Sequence, residues 1–259
     1  MIFGPSSTAT LACLLLVLGQ TPDARAQVNV EPYRQKVAQQ GSGVAVRASM
    51  ASYAGNTRGV IFGSAGLVGI HGAKNFAFLT LSGDYTRLNG EVSVAKWFGH
   101  LRHDYQLRDW LAWEEYGQIE SDRFRRIRLR ELVGTGPRFG LVRGDVFELY
   151  YGASYMYEHT KLDTAATGGR GQGGAHRFSN YISALLHAHE RVTLSSVTYY
   201  QPRFDRVSDY ILLSVNGADF TITSRLHSRV DAVARFDSIT PPDVKRADLE
   251  LKSALELTF

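Results

Sequence analysis

The sequence predicts an all-β protein, a transmembrane antiparallel up-and-down β-barrel of about 12 strands that follows a cleaved signal peptide. Three observations support this fold class: an amphipathic strand at the carboxyl terminus, an export signal at the amino terminus, and connections whose lengths alternate along the chain. In residues 247–259 apolar and charged side chains alternate, and the apolar series ends on Leu257 and Phe259. Because successive side chains point to opposite faces of a strand, one face of this ribbon is apolar and the other is charged. A terminal Phe on the apolar face is typical of bacterial outer-membrane barrels.

The amino terminus has the layout of a secretory signal peptide. Residues 10–19 form an apolar core, and an A-x-A cleavage site ends at Ala26. We therefore predict a signal peptide at 1–26, a periplasmic lead-in at 27–42 and the barrel at 43–259. No Lys or Arg precedes the apolar core, which departs from the usual pattern. The single cysteine lies inside the signal, so the mature chain has no thiol for a disulfide.

Composition and charge fit a folded β protein and argue against a nucleic-acid-binding one. The chain is 44% apolar and 11% aromatic, which is too apolar for a disordered protein. Its 29 Lys and Arg residues exceed its 25 Asp and Glu residues by four. These charges alternate with apolar residues along the predicted strands and form no basic domain, so we predict no nucleic-acid partner. No motif indicates a cofactor or a metal, and neither is predicted.

The chain after the lead-in is a series of candidate strands. Twelve segments combine β-forming residues with alternating polarity, and turn residues separate them. An even number of strands is what a single-chain bacterial barrel needs to place both termini in the periplasm. The predicted strands are 44–54, 59–70, 75–86, 91–105, 110–120, 129–142, 146–158, 177–188, 192–201, 207–216, 220–235 and 246–259.

The connections between these segments support the barrel more strongly than the strands do. Counted in chain order, the even-numbered connections are tight and rich in Gly, Asn and Asp, which tolerate the positive φ of hairpin turns. Several odd-numbered connections are longer, as expected for the external loops of an outer-membrane barrel. The predicted tight turns are 71–74, 107–109, 143–145, 189–191 and 216–219, and the predicted long loops are 121–128, 159–175, 202–206 and 237–245.

Charged residues on the non-lipid face of the strands are the first candidate functional group. They would line a lumen, where rings of charge could select solutes in a narrow pore. They could equally pair with one another and plug the barrel, because buried charges must be compensated. Twelve strands lie between filled eight-stranded barrels and open large ones, so strand number does not decide. The predicted lumen-facing charges are Arg102, Asp104, Glu114, Glu148, Arg225, Arg229, Asp231, Glu250 and Lys252.

Aromatic residues near the strand ends predict girdles at the two membrane interfaces. Glu115 falls on the lipid face of its strand, which is costly unless it lies near an interface. The candidate girdle residues are Trp97, Trp110, Trp113, Tyr151, Tyr155, Tyr157, Tyr199 and Tyr200.

Two further features predict partners. Arg123, Arg125, Arg126 and Arg128 surround a predicted external hairpin tip. Arginine binds phosphate through its planar fork, so these residues are candidates for lipopolysaccharide binding, with a solvated tip as the alternative. At the other end of the chain, Leu257 and Phe259 are the predicted signal for the barrel-assembly machinery.

Enzymatic activity is not predicted. The chain has no G-x-S-x-G, no H-E-x-x-H and no phosphate loop. A Ser-His triad at a barrel rim is recognised by geometry, so a hydrolase stays the rival class. His187 and His189 share one strand face, but a metal site needs further ligands that the sequence does not place. Gly134 and Gly136 are interpreted as strand glycines that face close neighbours.

Several short motifs resemble a known family when they are taken in order. The motifs lie at 53–57, 101–107, 120–130 and 241–246. Their order and spacing resemble the salt-induced outer-membrane proteins, a family built on a domain of unknown function. The resemblance covers about residues 29–259, and it implies an outer-membrane barrel with no catalytic residues to transfer. The chain departs from the pattern at His103 and in a longer Gly-rich loop after His159.

The sequence therefore predicts the location of the protein better than its activity. The expected location is the bacterial outer membrane, with lipid and lipopolysaccharide as surroundings. The leading functional hypothesis is a narrow passive channel for small solutes. The alternative is a non-conducting structural or envelope-stress barrel that interacts with lipopolysaccharide, and the second alternative is an outer-membrane hydrolase.

Overall fold

A computed structural model describes residues 41–53, 59–88, 91–123, 125–163, 173–242 and 244–259. The predicted signal peptide and residues 27–40 of the lead-in lie outside the described residues. All twelve predicted strands are present, and they close into one antiparallel barrel, which confirms the predicted fold class. The strands are β1 Ser42–Tyr53, β2 Gly59–His71, β3 Asn75–Leu88, β4 Glu91–Arg108, β5 Leu111–Asp122, β6 Ile127–Arg143, β7 Phe147–Leu162, β8 Gly173–His189, β9 Val192–Pro202, β10 Tyr210–Thr221, β11 Leu226–Asp237 and β12 Ala247–Thr258.

The topology is up-and-down throughout. Each strand pairs with its neighbours in the sequence, and β1 pairs with β12 to close the ring. At this seam Ala45 lies opposite Thr258, and Ala48 lies opposite Leu255. The Phe259 N–H donates to the Val44 carbonyl at 2.8 Å, and the Val44 N–H donates to the Phe259 carbonyl at 3.0 Å. The last residue of the chain is therefore part of the closing hydrogen-bond ladder.

The two ends of the barrel differ in their connections. The end that carries both described chain ends has connections of two to four residues, at 72–74, 109–110, 144–146, 190–191 and 222–225. We call it the turn end, and we call the opposite side the loop end. At the loop end the strands are joined by the stretches 54–58, 89–90, 123–126, 163–172, 203–209 and 238–246. Long connections at 163–172, 203–209 and 238–246 agree with the predicted sorting. The predicted long loop at 121–128 is wrong, because 123–126 is as short as a turn-end connection, and 89–90 is also short.

One predicted turn is wrong. Residues 216–219 lie inside β10, where Asn216 pairs with Ala232 on one side and with Ser196 on the other. A Cβ on Gly217 would lie 2.5 Å from Arg229 Nη2, so this glycine makes room for a buried side chain rather than for a turn. The turn lies at 222–225, where Thr223 Oγ1 accepts the N–H groups of Arg225 (3.3 Å) and Leu226 (3.0 Å).

Most of the outer face of the barrel is apolar, although β9 and β10 present polar residues such as Ser196 and Asn216 there. Leu249 is 67% exposed and Leu251 66%, although these are among the most apolar residues of β12. Exposed aromatic residues form a band near each end of the wall, as in membrane barrels. The turn-end band contains Tyr105, Trp110, Trp113, Phe147, Phe220 and Phe259, and the loop-end band contains Tyr85, Trp97, Tyr155, Tyr157, Phe178, Tyr200 and Phe204. No helix in the described part of the chain is long and apolar enough to cross a membrane.

Two residues, Tyr199 and Glu115, are predicted from the sequence to lie on the outer face. Tyr199, predicted for a girdle, faces inward and is buried, because β9 places Val197, Tyr199 and Gln201 on its inner face. Glu115 does lie on the outer face. There its carboxylate is 3.6 Å from Nδ1 of His103, whose Nε2 is 2.9 Å from Asn75 Oδ1. These polar contacts near the turn end give the outward carboxylate partners in an otherwise apolar wall.

Candidate functional site

The interior of the barrel concentrates the polar chemistry of the chain. Strand alternation sends apolar side chains outward, so the charged side chains at the intervening positions must point inward. Most of them are almost completely buried, which leaves little solvent-accessible surface along the inner wall. The buried charged residues are Lys96, Arg102, Asp104, Glu114, Glu120, Asp122, Arg125, Arg130, Arg138, Glu158, Arg177, Asp209, Asp219, Arg229, Asp231, Arg235, Asp237 and Glu256.

A network of ion pairs fills the loop-end half of the interior. Glu158 lies between two guanidinium groups, 2.6 Å from Arg130 Nη2 and 2.6 Å from Arg177 Nε. Arg130 also reaches Glu120 at 2.9 Å, and Arg177 reaches Asp209 at 3.0 Å. These five residues, which we call the loop-end network, come from β5, β6, β7, β8 and the β9–β10 connection. Such charge-assisted contacts offset the cost of removing charges from water only when each charge has partners, as here.

The β9–β10 connection is fixed to this network. Arg177 Nη1 donates to the carbonyl oxygens of Gln201 (2.9 Å) and Asp209 (3.1 Å). Within the connection, Arg203 donates two hydrogen bonds to Asp205, at 2.8 and 2.7 Å. These bonds hold the pKa of the Asp205 carboxyl at about 2, below its ordinary value. The connection is therefore tied down across the loop-end mouth.

The predicted role of Arg125 at the surface is wrong. The tight connection 123–126 contains Arg126 at φ 58°, and the Arg125 N–H donates to Asp122 Oδ1 at 3.2 Å. This geometry turns the Arg125 side chain into the barrel, where its guanidinium donates to Asp237 at the end of β11. β5 and β11 are six strands apart around the ring. Arg125 therefore crosses the mouth to the opposite wall.

The other arginines of this hairpin stay at the surface. Arg123 and Arg128 are exposed, and Arg126 lies 3.8 Å from Asp163 on the next connection. The β5–β6 hairpin thus divides its cations between the interior and the rim. Of the four predicted lipopolysaccharide-binding residues, three remain available to a ligand outside the barrel.

A second polar layer lies near the middle of the barrel around Glu114. Tyr181 Oη donates to Glu114 Oε2 at 2.6 Å, although β8 and β5 are three strands apart. Glu114 Oε1 lies 3.4 Å from Arg102 Nη1 and 3.8 Å from Arg138 Nη1. Arg138 Nη1 also donates to Tyr181 Oη at 3.0 Å. These four residues, the central layer, connect β4, β5, β6 and β8 through the interior.

Glycines make room for the inward tyrosines. Gly152 lies directly opposite Tyr181, and a Cβ there would be 2.1 Å from the Tyr181 ring. Gly134 lies directly opposite Tyr116, and a Cβ there would be 2.3 Å from that ring. Gly136 packs against the backbone of β7 in the same way, with a Cβ placed 2.2 Å from the Ala153 carbonyl. The interpretation of these residues as strand glycines that face close neighbours fits the structure.

The structure places the predicted lumen-facing charges as follows. Arg102, Asp104, Glu114, Arg229 and Asp231 are buried, and Glu148 and Lys252 point inward with part of each side chain exposed. The prediction for Arg225 is wrong, because it lies exposed in the turn 222–225. A turn at 216–219 would put Arg225 on the following strand, whereas the turn at 222–225 contains it. The side chain of Glu250 lies outside the described part of the structure.

Sequence reasoning missed central members of the interior. Arg177 has no exposed surface, yet residues 177–188 show no clear polarity phase in the sequence. In β8 the inward positions include the small polar residues Ser179 and Ser183, whereas Phe178 and Ile182 point outward. The alternation of small polar and large apolar residues along β8 was the sequence pattern that could have identified its inward positions. At the turn end of β8, His187 Nε2 lies 3.8 Å from Glu148, and the described residues contain no metal-binding group of three or more His, Cys, Asp or Glu.

The interior opens at the turn end into a cavity of about 300 Å³. Its lining combines cationic, aromatic and amide side chains from β4 to β7. Arg138 of the central layer forms its inner boundary. The lining residues are Gln106, Asp109, Trp110, Ala112, Arg138, Gly140, Arg143 and Tyr150.

Several solved structures are similar to this chain at low identity. The KdgM porin is 9% identical over 84% of this chain and 99% of its own, with a TM-score of 0.46. The NanC porin is 9% identical over 83% of this chain and 97% of its own, also with a TM-score of 0.46. The translocator domain of the autotransporter NalP from Neisseria meningitidis is 11% identical over 88% and 93%, with a TM-score of 0.43.

The family comparison is more specific. No curated protein matches the chain. Residues 46–259, which comprise nearly the whole barrel, match the family described as protein of unknown function, DUF481. This agrees with the resemblance to a family built on a domain of unknown function, while the salt-induced designation stays a prediction. By its sequence and its twelve-stranded barrel, the chain belongs to the DUF481 family of proteins of unknown function.

Proposed function

We propose that this protein is an integral outer-membrane barrel that is closed to solutes in the conformation described here. The observation that carries the proposal is the buried ion-pair network that joins opposite walls of the barrel. Arg125 reaches Asp237 across the loop-end mouth, and Glu158 joins Arg130 to Arg177 beneath it. An aqueous channel would leave lining side chains exposed, whereas these residues are buried.

The outer membrane is the environment that this surface suits. A barrel satisfies all backbone hydrogen bonds between strands, so it can cross a bilayer without helices. The exposed leucines between two aromatic bands match a lipid-facing wall. With both described chain ends and the short turns at one end, the turn end would face the periplasm and the loop end the exterior.

Conductance tests the closed state. In planar bilayers the folded protein is expected to give no single-channel steps, because the central layer and the loop-end network occupy the interior. Correct folding is checked in the same sample by heat-modifiable electrophoretic mobility. Reproducible current steps of uniform size from the folded sample would contradict the closed barrel and support the narrow passive channel instead. The turn-end cavity would then be the periplasmic entrance of that channel.

The external rim supports an interaction with lipopolysaccharide. Arg123 and Arg128 are exposed on the β5–β6 hairpin, and Arg206, Lys245 and Arg246 are exposed on the β9–β10 and β11–β12 connections elsewhere around the loop-end rim. Arginine forks suit the phosphates that the outer leaflet presents. These exposed cations favour a structural or envelope role in which the rim binds lipopolysaccharide over one in which the rim contacts only solvent.

The double variant Arg123→Ser, Arg128→Ser tests the rim. It is expected to retain several-fold less lipopolysaccharide after purification, since charge-assisted contacts to phosphate contribute about 1.5–3 kcal/mol each. The matched control is Arg191→Ser, Arg225→Ser, which removes two exposed cations from the turn end. Equal lipopolysaccharide retention by the rim variant and the control would count against this partner.

Deletion of Phe259 tests the assembly signal. Phe259 contributes two backbone hydrogen bonds to the seam and a side chain that is 66% exposed on the outer face. Phe259→Ala keeps the backbone bonds and removes only the ring. If the ring is read by the assembly machinery, both changes reduce the folded barrel in the membrane. Normal folded levels for Phe259→Ala would show that the residue acts through the seam alone.

The protein is proposed to have no enzymatic activity. The hydrolase alternative is tested by incubating the folded barrel with phospholipid and measuring fatty-acid release. Fatty-acid release above that of a heat-unfolded sample would contradict the proposed absence of enzymatic activity and support the hydrolase alternative.

A further inference from the structure

The turn-end cavity is large enough to hold a small ligand. Its volume of about 300 Å³ is at the lower end of small-molecule sites. It lies on the side away from the loop-end network, and Arg138 of the central layer forms its inner boundary. A molecule entering from the turn end would therefore be held rather than passed through.

A β-bulge directs a second arginine toward this cavity. The β6–β7 register shifts between Gly140 and Val142, so that Leu141 and Val142 both point outward. After the shift, Arg143 lies opposite the inward-pointing Glu148 instead of facing lipid. Bulges re-aim side chains in this way beside functional sites.

Neighbouring groups hold Arg143 over the cavity mouth. A Cβ on Gly140 would lie 2.9 Å from Arg143 Cδ, so a larger residue there would displace the arginine side chain from this position. Arg143 Nη1 donates to the Asp109 carbonyl, and the Gly140 N–H donates to the Trp110 carbonyl at 2.8 Å. The same turn is fixed from inside by Gln106, whose amide donates to the carbonyl oxygens of residues 108, 109 and 111. The mouth of the cavity is thus held in one conformation before any ligand binds.

The inner boundary of the cavity is also cationic. The Arg138 guanidinium lies 3.9 Å above the Tyr150 ring, which fixes its plane, and its Nη1 is 3.8 Å from a carboxylate oxygen of Glu114. The lining itself contains two arginines and one acidic side chain, Asp109, and Glu148 lies opposite Arg143 on β7. Tyr150 supplies an aromatic face beside these charges, whereas the Trp110 ring stacks on Phe139 at the rim of the cavity.

We infer that this cavity binds a small hydrophilic organic anion from the periplasmic side, with a carboxylate held by Arg143 and Arg138, a ring beside Tyr150, and Trp110 at the rim. Arginine forks match carboxylates in a bidentate manner. The Tyr150 ring suits the face of a ligand ring, and the side-chain carbonyl of Gln106 suits hydroxyl groups.

A fluorescence titration tests this inference. Replacement of Trp97 and Trp113 by Phe leaves Trp110 as the sole indole of the three in the chain. In this background glucuronate is expected to change Trp110 emission saturably, whereas glucose, which has the same ring without the carboxylate, is expected not to. Arg143→Gln is expected to weaken glucuronate binding at least tenfold, and Arg191→Gln, on the next turn-end connection but outside the cavity lining, is expected to leave it unchanged.

Three results would overturn the inference. They are the absence of a saturable response to glucuronate, an equal response to glucose, and unchanged affinity in Arg143→Gln. None of these depends on whether the barrel conducts, so the inference and the closed-barrel proposal can fail separately.

Discussion

Glu158→Gln is expected to destabilise the folded barrel by about 3–5 kcal/mol, the cost of removing one partner from a buried ion pair. Glu158 is 2% exposed and neutralises two guanidinium groups, Arg130 and Arg177, at 2.6 Å each. Gln keeps the shape of the side chain and removes its charge. The loss of stability would therefore measure the effect of the charge alone, because the substitution creates no cavity.

Urea unfolding in lipid vesicles, followed by tryptophan fluorescence, measures this change. The matched control is Glu190→Gln, which removes an exposed carboxylate from the turn between β8 and β9 and is expected to stay within about 0.5 kcal/mol of the wild type. If Glu158→Gln unfolds at the same urea concentration as this control, the loop-end network is not what holds the interior together.

Gly152→Ala is expected to destabilise the barrel strongly for the addition of a single methyl group. The new Cβ would lie 2.1 Å from the Tyr181 ring, and overpacking of this kind costs about 1–3 kcal/mol. Tyr181 must then move, and its 2.6 Å hydrogen bond to Glu114 is lost with it. Because Glu114 is buried beside Arg102 and Arg138, the disturbance spreads through the central layer.

A double-mutant cycle separates this clash from a general effect of alanine. In a Tyr181→Ala background the ring is absent, so Gly152→Ala is expected to cost less than about 0.5 kcal/mol. Gly66→Ala is the matched control, because a Cβ on Gly66 meets nothing within 4 Å. Additive effects of Gly152→Ala and Tyr181→Ala would show that the two residues are not coupled.

These two changes bear directly on the proposed closed state. Glu158 belongs to the loop-end network and Tyr181 to the central layer, and together the two layers fill the interior between the mouth and the turn-end cavity. A variant that folds but loses one layer would be expected to conduct, and the same bilayer measurement would detect it. The same residues are therefore expected to determine both the stability of the folded barrel and its closure to solutes.

Much of the wall could be predicted from the sequence because strand alternation is local. The phase of β7 and β11 placed Glu158, Arg229 and Asp231 inside, and the terminal ribbon placed Leu257 and Phe259 outside. Tyr199 and residues 216–219 were misplaced for a different reason. A tyrosine fits either a girdle or a filled interior, and Asn-Gly fits either a turn or a strand, so the neighbouring strands decide.

The sequence by itself determined the twelve strands, their antiparallel order and the inside-out polarity, because each follows from periodicity within a single segment or from the length of a single connection. Only the tertiary structure decided that Arg125 turns inward to Asp237, that Tyr181 reaches Glu114 over Gly152, and that a bulge directs Arg143 toward a cavity. These contacts join residues from strands far apart in the sequence. Such contacts exist only once the barrel has closed, and so no local pattern records them.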